Sequence, residues 1–166
     1  AKNIAEIRAT LPPTTNLVAV SKYHPIEAVA EAYAAGQRIF GESRAQELRE
    51  KAEALPKDIE WHFIGHLQPN KVKYIAPFIS LIHAVDTPKL LAEIHRQAEK
   101  HSRIIPCLLQ LHVAAEETKY GFTPDEAWQF LKSGEWRNYP NAQISGVMCM
   151  ATNTDDEVRI RHDFQV

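Results

Sequence analysis

The sequence predicts an α/β protein built on a parallel sheet, and two observations carry that expectation. Six short apolar runs, several of them almost continuous in Val, Ile and Leu, recur along the 166 residues, as expected of strands covered on both faces. Between them lie helical patterns with caps, so strand and helix alternate and repeated right-handed βαβ units follow.

The runs are NLVAVSK at 16–22, RIFGES at 38–43, EWHFIGH at 60–66, LIHAVD at 81–86, IIPCLLQLHV at 104–113 and QISGVMCM at 143–150. After the first run, Ile26, Val29, Ala30 and Tyr33 form an i, i+3, i+4, i+7 stripe, and Gly36 is suited to a left-handed stop. Thr87-Pro88 opens a helix through Leu90, Leu91 and Ile94. Thr123-Pro124-Asp125-Glu126 has the layout of a capping box with proline in the first turn. The stretch ATNTDDEVRIRHDFQV begins as a polar turn and continues as a helix. Periodicity leaves a doubly wound sheet and a barrel both open, and neither a G-x-G-x-x-G nor a GxxxxGK[ST] loop follows any strand.

With 45% apolar and 24% charged residues the chain reads as one globular domain over 1–166. A net charge of −2 without a run of Lys or Arg argues against a nucleic-acid or anionic-membrane surface. The apolar stretches stop short of the ~18 residues of a membrane span. The start, AKNIAEIRATLP, lacks a secretory layout, so a cytoplasmic location is expected. Cys107 and Cys149, far apart and each inside an apolar run, read as buried core thiols rather than a disulfide or metal pair.

Lys22 ends the first run, and alternation puts it on the face of Val18 and Val20. An apolar approach of that kind disfavours the ammonium and yields an amine able to condense with an aldehyde; the same position also suits a lysine snorkelling to solvent. Gly41 and Ser43 share one face of the second run, where a small residue beside a hydroxyl leaves room for a flat ligand, although Ser43 could equally cap a helix. His62 and His66 have metal-ligand spacing, but on a strand and without an HExxH glutamate. His62 is expected to be structural or to pack beside a cofactor ring. Lys119 follows the fifth run in a charged loop, and Met148 lies on the sixth with a core side chain as its plain reading.

VAVSK at 18–22, FGES with a later Gln-Glu at 40–47 and WHFIGHLQPNK at 61–71 resemble the pyridoxal phosphate homeostasis family, the YggS-like and PROSC-like proteins. HAVD at 83–86, EETKYGF at 116–122 and SGVMCM at 145–150 follow in the family's order and spacing. The resemblance implies a β/α (TIM-type) barrel like the alanine racemase N-terminal domain, with pyridoxal 5′-phosphate at the C-terminal ends of the strands. It implies a cofactor held as an aldimine on Lys22, with Ser43 in place of the family's FGEN asparagine, His62 from WHFIG and Met148 as further cofactor contacts, and no metal. Segments resembling the family's LSMGMSxD and VRIG do not occur in the sequence, so six of eight strands and a C-terminally incomplete barrel are expected. The implied role is to carry or buffer the cofactor in vitamin B6 and amino-acid homeostasis as a monomer, without enzymatic activity and with pyridoxal-dependent apo-enzymes as acceptors. The alternative is a weak amino-acid racemase or related pyridoxal enzyme.

Overall fold

A computed structural model describes residues 2–115 and 120–165. Its six strands, β1 (Ala19–Val20), β2 (Ile39–Glu42), β3 (Glu60–Phe63), β4 (Leu81–Val85), β5 (Ile105–Leu111) and β6 (Ala142–Cys149), lie within the six predicted runs to within a residue. All pair in parallel, in the order β1-β2-β3-β4-β5-β6. A doubly wound sheet reverses its winding at a switch point, whereas this order never reverses. The sheet is therefore barrel-like and incomplete, with β1 and β6 at its two edges.

Helices follow the strands: α1 (Lys2–Thr10) precedes β1, then α2 (Ile26–Ala34), α3 (Ala45–Ala54), α4 (Val72–Ile75), α5 (Pro88–Lys100), α6 (Pro124–Ser133) and α7 (Glu157–Asp163). The predicted caps are present. Thr87 Oγ1 accepts from the Leu90 N–H at 3.2 Å, and Thr123 and Glu126 form the reciprocal capping box. Beyond α2, Gly36 takes φ 91°, and its N–H donates to the Tyr33 carbonyl. The α2 stripe differs from expectation: Val29 is buried but Ala30 is exposed, and Ala32 packs on the core in its place.

The core lies between the helices and one face of the sheet. Phe40, Trp61, Phe63, Ile82, Ile105 and Leu109 from the strands meet Leu48, Ile75, Leu90, Leu91 and Ile94 from the helices. The expectation of strands covered on both faces is corrected: in β3 and β4, Trp61, Phe63, Ile82 and Ala84 are buried while His62, Leu81 and His83 between them are only half-buried. The sheet does not close on itself, so its second face is left partly to water. Cys149 shares in this. It is half-buried near the end of an edge strand, unlike Cys107, which is buried.

Candidate functional site

β1 ends at Val20, and Lys22 lies in the turn beyond it. Ser21 N–H donates to the Gly41 carbonyl at 3.0 Å, and His24 N–H closes the turn on the Ser21 carbonyl at 3.1 Å. Tyr23 sits in the left-handed region at φ 66°, a conformation that costs a non-glycine residue roughly 1 kcal/mol. The Lys22 side chain is exposed, with Nζ 5.9 Å from the Tyr23 ring centroid. The dry approach expected from Val18 and Val20 is thus corrected: β1 is an edge strand, and Val20 is itself 50% exposed.

The main chain around Lys22 is held by a buried charged cluster. Lys51, on α3, donates to the Ser21 carbonyl at 2.7 Å, to Glu42 Oε1 at 2.6 Å and to Glu47 Oε1 at 2.8 Å. Ser21 Oγ also donates to Glu42 Oε1, at 2.7 Å, and the Tyr23 N–H donates to Glu47 Oε1 at 2.8 Å. Side-chain exposure is 4% at Lys51 and 0% at Glu42. A charge pair this dry survives only because its partners meet; removing one member of such a pair costs about 3–5 kcal/mol. Burial raises the Glu47 carboxyl, but the bonds from Lys51 and the Tyr23 N–H outweigh it and hold the group below the usual glutamate value.

On β2, Glu42 meets Lys51 of α3 while Gly41 faces the Val18 and Ile64 side chains; both are buried. A Cβ on Gly41 would lie 3.1 Å from both Val18 Cγ1 and Ile64 Cδ1, so its absence lets those two side chains pack over the strand between β1 and β3, with Gly41 beneath them. Ser43 follows directly at the C-terminal end of β2 and is half-buried. It does not cap α3, whose N-cap is Arg44. The strand ends approach closely: a Cβ on Gly65 would fall 2.6 Å from Ser43 Cβ. Ser43 also joins the wall of a cavity of about 320 Å³ shared with Arg44, Gln46, His66, Lys71 and Tyr74.

His62, on β3, forms a hydrogen bond with His83 of β4, Nδ1 to Nε2 at 3.0 Å. Burial, with a smaller repulsion from His83, pushes the His62 imidazole down to about 4, and burial also lowers His83. Both rings are therefore neutral near pH 7, one donating and the other accepting. His66 does not join them; its Nδ1 meets Asp86 Oδ2 at 3.0 Å, and its ring stacks on Tyr120 with centroids 3.9 Å apart. Among the described residues no cluster of three or more ligating side chains could hold a metal. Met148, half-buried on β6, pairs in register with Gln110. Lys119 lies outside the described residues.

Lys22, Ser43 and His62 thus come from three successive strands, whereas Met148 stands on the opposite edge of the sheet from Lys22. Two features went unread in the sequence: His83, although alternation in LIHAVD puts it with Leu81, and the Glu42–Lys51 pair, for which local pattern offers no signal. The chemistry present is an accessible primary amine beyond one strand end, a hydroxyl beyond the next and a neutral imidazole pair on the following two strands.

Fold and site together define a protein of the β/α-barrel class with its candidate site at the C-terminal ends of the strands. The family model described as alanine racemase, N-terminal domain, matches residues 1–166, and the chain belongs to that family, among its pyridoxal phosphate homeostasis members. It is 37% identical over 153 residues to the pyridoxal phosphate homeostasis protein of Schizosaccharomyces pombe, covering 90% of this chain and 64% of that protein. Identity to the protein of the same name from Synechocystis sp. is 44% over 146 residues, covering 87% of this chain and 66% of the relative. The chain thus spans slightly under two thirds of the length of these curated relatives. PipY of Synechococcus elongatus PCC7942, solved with PLP bound, superposes with a TM-score of 0.81 at 35% identity, over 93% of this chain and 72% of that one. Among the described residues no helix is long and apolar enough to cross a membrane.

Proposed function

We propose that this chain binds pyridoxal 5′-phosphate through the Lys22 amine and serves to carry or buffer the cofactor rather than to catalyse a reaction. The observation that carries this reading is a lysine at the C-terminal end of β1 whose side chain is free in solvent while the residues on both sides of it are tied down. PipY, similar over most of this chain, was solved with PLP bound, which supports the same reading. When bound, the cofactor supplies an electrophilic aldehyde and an electron-withdrawing ring.

The chain's own residues divide the work. Lys22 provides the attachment atom. Val18 and Ile64, packed together over Gly41, supply an apolar surface against the ring. Ser43 offers a hydroxyl at the ring's edge, and His62, kept neutral and oriented by His83, offers a polar contact that adds no charge. Met148 is assigned as an apolar contact from the far edge of the sheet. None of these residues is given a catalytic role. In the same reading the cofactor is exchangeable: a second amine displaces Lys22, as a buffer handing it to pyridoxal-dependent apo-enzymes in the cytoplasm requires. A monomer suffices for that task.

The test is spectroscopic and chemical. Pyridoxal 5′-phosphate added to the protein is expected to give a band near ~420 nm, the region of protonated lysine adducts of this cofactor. Borohydride should then fix the cofactor on the peptide containing Lys22, and Lys22→Ala should abolish both signals. Reduction that leaves Lys22 unmodified would refute the assignment. Loss of α-deuterium from alanine, dependent on Lys22, would instead move the protein to the racemases.

A further inference from the structure

We infer that Lys51, Glu42 and Glu47 form a positioning device that fixes the main chain on both sides of Lys22, so that its exposed side chain starts from one defined place. This deepens the reading above and rests on it.

The geometry is specific to the segment 21–23. Lys51 reaches from the last turn of α3 to the Ser21 carbonyl, on the N-terminal side of Lys22. Glu47, one turn earlier on the same helix, takes the Tyr23 N–H on the C-terminal side. Glu42, at the end of β2, fixes Lys51 from below and takes the Ser21 hydroxyl. The two anchors flanking Lys22 are therefore joined through one ammonium group, and β1, β2 and α3 are referenced to each other through it.

Such a cluster is a poor way to gain stability, since a well-packed apolar trio of the same volume would do as well or better. Glu42 also leaves Oε2 buried with no hydrogen-bond partner among the described residues. What the charges add is direction. A charge-assisted bond to a carbonyl and another to an N–H set two consecutive peptide planes, which apolar contacts cannot do. Tyr23 is held in a left-handed conformation that the Glu47 bond stabilises. An edge strand of only two residues has little ladder of its own to hold that turn.

The experiment uses Glu47→Ala, since Glu47 keeps 22% of its side chain exposed and its loss leaves the Lys51–Glu42 pair intact. Three quantities are measured on the whole chain: hydrogen exchange at the Tyr23 amide, the dissociation constant for pyridoxal 5′-phosphate from its absorbance, and the urea midpoint. Expected are Tyr23 exchange at least about tenfold faster, a dissociation constant raised roughly tenfold or more because the main chain that carries the amine is no longer fixed, and a midpoint close to wild type. Glu47→Gln keeps an acceptor for the Tyr23 N–H and should restore most of the affinity. A Tyr23 amide indifferent to Glu47→Ala overturns the clamp by itself, and so does fast exchange with unchanged affinity. A wild-type protein with no cofactor signal instead overturns the preceding reading, and with it the cofactor half of this one.

Discussion

Acid should loosen this protein through His62 and His83 before it reaches the carboxylates. Both imidazoles are lowered by burial, His62 from an ordinary 6.5 to about 4. Between those values the unfolded chain binds protons that the fold refuses, so stability is complete above about 6.5 and is lost as the pH falls towards about 4. At about 1.4 kcal/mol per pH unit the His62 interval is worth at most about 3.5 kcal/mol. The ring is only half-buried, and water screening reduces the expectation to roughly 1–2 kcal/mol. With a urea slope of about 2 kcal/mol/M, the middle of the range for small domains, the midpoint should fall by roughly 0.5–1 M between pH 7 and pH 4.5. The control is His62→Gln/His83→Gln, which keeps polar groups on the open face but cannot titrate. Urea titrations followed by far-UV circular dichroism at both pH values compare the two proteins. Equal losses of midpoint in wild type and double variant would refute the assignment of the acid sensitivity to this pair.

Three further outcomes follow from the geometry. Gly65→Ala forces a Cβ to within 2.6 Å of Ser43 Cβ and 2.9 Å of Ser43 Cα, so the ends of β2 and β3 must separate. A loss of about 1–3 kcal/mol in urea unfolding and weaker cofactor binding are expected. Arg103 donates to the Ala76 carbonyl at 2.6 Å and the Ile79 carbonyl at 2.7 Å, closing the end of α4. Arg103→Met keeps the stem but leaves those acceptors bare, and should cost about 1–3 kcal/mol in the same assay. Burial pushes the Cys107 thiol up to about 12, so a disulfide reagent at pH 8 should label Cys149 in the native protein and reach Cys107 only after denaturant is added.

Much of the fold was legible because its signals are local. Strand limits, the capping box at Thr123 and the cap at Thr87 each depend on residues within one turn or one alternation of each other. The lysine at the end of VAVSK and the shared face of Gly41 and Ser43 could be read in the same way. The α2 stripe was harder. Ala30 fits the stripe at i+4 and Ala32, at i+6, does not, yet Ala32 is the one covered, because the direction from which the sheet approaches decides it.

By itself the sequence determined the alternation of strand and helix, the positions of the caps, and the short list of groups able to do chemistry. Tertiary structure alone decided the rest: that the strands follow one another without reversal, that Ala32 rather than Ala30 meets the core, and that Lys51 crosses to Glu42 and Ser21. The physical reason is that propensity and capping act over a few residues, whereas the burial of a charge is tolerable only when a partner from another element arrives beside it. Ser21 and Lys51 are 30 residues apart in the chain, and nothing in either neighbourhood announces the other.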